Sequence, residues 1–208
     1  MKSSQLIKHK SAVAAHEIKG NPQGKGANGL LLDWNQSAPR GVLAKSRRQI
    51  LAEFFTSMLV LSSTFKFRPA VGTANFLYWL DGRWSLSLIA PQQWSPERRA
   101  GFVGVCVLQQ DMTWTISPSD QIAKGTPLSD ALGKFYDGFA ELMDTDLTLE
   151  DILPFHAANL PYHQRLYASA LGRSIRAAVT LGDQTSLSCR QWNTLLPSAK
   201  NTLLAHKV

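Results

Sequence analysis

Few residues of this chain combine a reactive side chain with a spacing that chemistry uses. Gly24-Lys-Gly26-Ala-Asn-Gly29 matches G-x-G-x-x-G, whose glycines let a backbone approach a pyrophosphate at a helix N-terminus. No predicted strand precedes it and an apolar Leu30-Leu31-Leu32-Asp33-Trp34 follows, so the context is wrong for a dinucleotide. Gly20-Asn-Pro-Gln-Gly24-Lys25 is one residue too short for a Walker loop, and Gly26 stands where Ser or Thr must hold magnesium. His156 and His163 face each other across Pro161 in the sequence with no third ligand at zinc spacing. Asp144, Asp146, Glu150 and Asp151 lack the spacing and central Gly of a calcium loop, and read as a solvated loop with carboxylates at a helix start. Asp111, near Trp114, is the best single polar candidate in the apolar centre of the chain, with a turn-forming role as its alternative. No cofactor or metal pattern emerges.

The elements that must position these groups are clearest around Asp81-Gly82, which lies between two alternating apolar runs and predicts a two-residue hairpin turn. Counting outward pairs Leu80 with Arg83, Trp79 with Trp84 and Leu77 with Leu86. Leu77, Trp79, Trp84, Leu86 and Leu88 then share the buried face. Phe76, Tyr78, Ser85, Ser87 and Ile89 share the other, mixed enough to lie half covered by a helix or to floor a groove. The paired indoles add roughly 0.2–1 kcal/mol beyond their burial. Phe102 to Leu108 is a nearly unbroken apolar run and predicts a strand covered on both faces. Thr113-Trp114-Thr115 reads as a further short strand.

An aromatic strand, a Gly turn, a Ser-Leu-rich strand, Pro91-x-x-Trp94, Phe102-Val103-Gly104 and Asp111-Met112-Thr113-Trp114-Thr115 follow one another in an order that resembles an uncharacterised family, the domain of unknown function DUF2452. The resemblance covers residues 76–118, and Ser95 and Ile116 depart from its Gly and Pro. It implies a shared sheet and no mechanism.

Helices are predicted on either side of these strands. Ser46-x-x-Gln49 is a capping box ahead of Ile50, Leu51, Phe54, Phe55, Met58 and Leu61, which gives an amphipathic helix over 46–62. Thr126-Pro127 starts another, with Leu128, Leu132, Phe135, Phe139 and Leu142 as its stripe. Thr148 with Asp151 caps a short turn. A longer helix runs from Pro161 to Gly182, turning Tyr162, Leu166, Ala170 and Leu171 inward and Arg165, Arg173 and Arg176 outward. Trp192 belongs to a short C-terminal helix. The fold class is therefore α+β: a small antiparallel β-meander packed by several helices, with a basic N-terminal arm over residues 1–28 and a single domain over 29–208.

Charge is uneven. Residues 1–48 hold nine Lys/Arg against Glu17 and Asp33, residues 49–151 seven against twelve acids, and residues 152–208 six against Asp183. The positive ends fit an anionic partner or a solubilising tail. No run has the apolar length of a membrane span, the start lacks an apolar leader, and Cys106 and Cys189 are the only cysteines, which predicts a cytoplasmic protein with a buried Cys106 thiol.

Three functions follow as expectations. The favoured one is a non-catalytic binding module for a partner protein or small ligand, with Tyr78, Trp94, Asp111 and Trp114 as contact residues. The alternative is nucleic-acid or ribonucleoprotein association through Lys8, Lys10, Lys19, Lys25, Arg40, Lys45, Arg47 and Arg48, with Arg173 and Arg176 as further anion contacts. The third is an enzyme of unrecognised class resting on Asp111, His156 and His163, which must then lie within hydrogen-bond reach of one another or of one water.

Overall fold

The computed structural model describes residues 25–122, 125–153 and 160–196. Its elements are α1 (Lys25–Gln36), α2 (Arg47–Leu61), β1 (Ala74–Leu80), β2 (Arg83–Ser87), a 3-10 turn at Pro91–Gln93, α3 (Pro96–Arg99), β3 (Phe102–Leu108), β4 (Trp114–Pro118), α4 (Pro127–Leu142), α5 (Leu149–Ile152), α6 (Tyr162–Leu181) and α7 (Cys189–Asn193). The class is α+β with one fully antiparallel sheet, in the order β2-β1-β3-β4.

Asp81 and Gly82 both take positive φ, 50° and 76°, and close the hairpin in the expected register, Trp79 opposite Trp84 and Leu77 opposite Leu86. The indole centroids are 4.7 Å apart. Leu77, Trp84 and Leu86 are buried and Trp79 is half-buried, whereas Leu88 lies past the end of β2 and is exposed. The opposite face brings a larger correction. β3 joins the sheet beside β1, away from β2, so the connection after β2 crosses over β1 and covers Tyr78. The Tyr78 hydroxyl donates to Ile89 O at 2.8 Å, and Trp94 packs edge-on against its ring at 5.8 Å. Val105 and Val107 stay half-exposed, so β3 is covered fully on one side only.

The tight β3–β4 hairpin depends on Gly104, where a Cβ would come within 2.5 Å of Ser117 O. Small size at this position serves the neighbouring strand, since the atoms a Cβ would meet belong to Ser117 and Ile116 of β4.

α2 begins at Ser46, whose Oγ accepts from Gln49 N–H at 3.3 Å. It is buried almost all round, including Ala52, Glu53, Thr56, Ser57 and Val60, because it lies between the sheet and α4 and α6. The predicted amphipathic stripe understates this. Phe54 and Phe55 each meet Phe139 of α4 edge-to-face at 5.3 Å. Ser57 Oγ accepts the outward N–H of Trp114 at 2.8 Å and closes the free edge of β4. The edge of β2 is closed by Thr64, whose N–H donates to Trp84 O at 2.9 Å.

α4 and α5 start at the predicted caps, Thr126 and Thr148, and Trp192 is fully buried in α7. α6 ends at Gly182 as predicted, but Tyr162 is exposed. The sharpest difference lies at the start of the described chain, where residues 25–28 are the first turn of α1 and not the end of an irregular arm. Side chains anchor this helix. Arg68 pairs with Asp33 at 2.5 Å, and Arg173 stacks 4.2 Å above the Trp34 ring while donating to Ser37 O at 3.1 Å.

Candidate functional site

One polar cluster is built into the interior. Lys45 immediately precedes the N-cap of α2, Glu53 lies two turns into that helix, and Asp111 sits in the turn between β3 and β4. Lys45 Nζ is 2.5 Å from Glu53 Oε2 and 2.5 Å from Asp111 Oδ2. The three side chains are only 12%, 4% and 10% exposed. Backbone contacts fix the partners. Asp111 Oδ1 accepts from the Thr113 hydroxyl at 2.7 Å and the Thr113 N–H at 3.1 Å. Met112 takes φ 66°, unusual for a residue with a Cβ, and its side chain is buried in the core while that of Asp111 meets Lys45. Arg40 N–H donates to Gln110 O at 2.9 Å, and Gln184 reaches Lys45 O at 3.3 Å.

Burial alone would raise the pKa of Asp111, but hydrogen bonds from Lys45 and Thr113 outweigh it and hold the carboxyl below its ordinary value. Burial would likewise lower Lys45, yet the hydrogen bonds to Asp111 and Glu53 prevail and raise it. Asp111 and Lys45 are therefore both charged at neutral pH, and each stabilises the other.

Above it opens a cleft of roughly 580 Å³, lined by Arg40, Lys45, Glu53, Gln109, Asp111 and Thr115 among others. Its walls offer hydroxyls and amides. The Gln109 amide donates to Thr115 Oγ1 at 2.8 Å, and Lys45 Nζ spends two of its three donors on Glu53 and Asp111. Such a surface suits hydrogen-bonded recognition. Asp111 is a poor general base, since both oxygens already accept hydrogen bonds and its pKa is lowered.

The four predicted ligand contacts do not converge. Tyr78 and Trp114 are fully buried, Trp114 in the core beneath the sheet and Tyr78 on the other face, where burial pushes its hydroxyl up to about 12. Trp94 is half-buried with Arg98 stacked 4.6 Å over its ring, and only Asp111 reaches the cleft. Side chains on alternate faces of one sheet cannot line one groove, and the loop that covers Tyr78 fills the space beside it.

The basic candidates also separate. Lys8, Lys10 and Lys19 lie outside the described residues, and Lys25 opens α1. Arg47 and Arg48 are exposed in the first turn of α2, and Arg40 lines the rim of the cleft. Lys45 is neutralised by two carboxylates, Arg173 is engaged by Trp34 and Ser37, and Arg176 donates to the carbonyls of Glu150 and Leu153 behind α5. The last three hold the fold together. His156 falls outside the described residues, and His163 lines a different recess, beside Arg68 and Tyr167. Cys106 and Cys189 are buried free thiols; burial raises both, Cys189 to about 11. Among the described residues no group of three His, Cys, Asp or Glu side chains is placed to hold a metal ion, and no helix is long and apolar enough to cross a membrane.

Fold and site together define an α+β chain with a buried ion cluster opening into a polar cleft. Compared with protein-family models, curated proteins and solved structures, the chain matches none.

Proposed function

We propose that the chain is a non-catalytic binding module that takes a small polar ligand in the cleft over Lys45, Glu53 and Asp111. The observation that carries this reading is the bridging of two carboxylates by Lys45 at 2.5 Å each. Three charges that satisfy one another make a rigid floor, while the amides and hydroxyls around them supply donors and acceptors for orientation. Mutual saturation also argues against a free nucleophile or base at this place. Two unpaired buried cysteines support a reducing, cytoplasmic setting. The resemblance over residues 76–118 extends the proposal to a shared sheet and adds no activity.

The test is a fragment screen by amide chemical-shift mapping. Neutral polar fragments should shift the Gln109–Ser117 amides, and the shifts should vanish in Ser117→Arg with the melting temperature unchanged. Fragments that leave those amides untouched, or chemical turnover of a bound one, would overturn the reading.

A further inference from the structure

A third recess lies away from both the polar cleft and the His163 recess, between the hairpin and α4. Trp84, almost fully buried, is its floor, and the half-exposed Trp79 and Phe135 are its walls. The rings are set at steep angles, 56° between Trp79 and Trp84 with centroids 4.7 Å apart, and 79° between Trp84 and Phe135 at 6.4 Å. Rings inclined in this way to one another leave a corner between them in which one cation can meet more than one ring. That volume is about 470 Å³, the size of a small-molecule site. Two charged side chains stand at its lip, Asp130 and Lys134, both exposed on α4. The carboxylate of Asp130 is short and stays at the lip, whereas the Lys134 stem can lie along the wall with its ammonium in water.

We propose that this recess binds a small quaternary ammonium compound, its methyl groups against the three rings and its charge compensated by the ring faces and Asp130. Ring faces attract a cation that cannot hydrogen-bond, and a trimethylammonium group needs no donors or acceptors from an apolar wall. The inference is independent of the polar cleft.

The experiment compares choline with 3,3-dimethylbutan-1-ol, which has the same shape with carbon in place of charged nitrogen, by calorimetry on the full chain. Choline should bind at least roughly fivefold tighter than the alcohol, the margin of a partly desolvated cation–π contact. Phe135→Leu and Asp130→Asn should each weaken choline, and Lys134→Gln should strengthen it. Lys134→Gln is an exposed change that leaves the fold intact, so it keeps the test decisive even where a ring variant unfolds. Equal affinity for the two compounds, no choline binding, or weaker binding in Lys134→Gln overturns the proposal.

Discussion

Lys45 Nζ lies 2.5 Å from Asp111 Oδ2 although 66 residues separate them in the chain. The contact ties the approach to α2 to the turn between β3 and β4. A charge placed this deeply is costly to leave alone, which makes the cluster the most informative target for mutation.

Lys45→Met leaves Glu53 and Asp111 buried side by side without their shared cation. We expect a loss of roughly 3 kcal/mol at pH 7, the lower end of the range for breaking a buried pair. Urea unfolding checks it, and the loss should shrink below about pH 4, where carboxyls take up protons. An unchanged midpoint would show that the cluster adds no stability.

The same groups set the acid and alkaline limits of their own contribution. Asp111 is lowered by folding, so its stabilisation is complete above the unfolded carboxyl value of about 3.9 and disappears as pH falls through the lower folded value. Lys45 is raised, so its share is complete below about 10.4 and disappears as pH rises through the higher folded value. The stability difference between wild type and Asp111→Asn should therefore be flat at neutral pH and narrow on acidification below about pH 4. A difference that grows on acidification contradicts the assigned sign.

Two glycines separate backbone strain from crowding. Gly82→Ala meets open space but keeps a positive φ of 76°, and should cost roughly 1–2 kcal/mol. Gly104→Ala pushes a methyl toward Ser117 O and the Ile116 side chain, and should cost roughly 1–3 kcal/mol while weakening protection of the β3–β4 amides. Hydrogen exchange distinguishes the two, since only the second should loosen β4.

Arg173→Ala removes both the stacking on Trp34 and the hydrogen bond to Ser37 O. Exchange in α1 should accelerate several-fold, as expected from losing about 1 kcal/mol of local stability, while global unfolding moves little. Protection of α1 identical to wild type would show that other contacts hold it.

The hairpin was legible because Asp81-Gly82 dictates both turn type and register from local chemistry. The caps at Ser46, Thr126 and Thr148 were legible for the same reason. Tyr78 lies on the expected face, but its cover was not legible, because it arrives from a crossing loop whose path depends on where β3 joins the sheet. Glu53 was missed entirely. Nothing local marks a glutamate on α2 as buried, and its partners come from a loop and a distant turn. Arg173 and Arg176 sit on one helix face as their spacing requires, but α1 and α5 dock there, which periodicity in α6 alone does not reveal. α1 escaped because Gly26 and Gly29 depress helix propensity and no capping residue announces its start.

Met112 faces two demands that oppose each other. Its left-handed backbone favours glycine, yet its side chain fills the core and is only 3% exposed. Glycine alone would relax the chain, and it would open a void, while a β-branched residue would fill space at the cost of greater torsional penalty. Long, unbranched side chains reconcile the two demands best, because they reach into the core without adding a branch at Cβ.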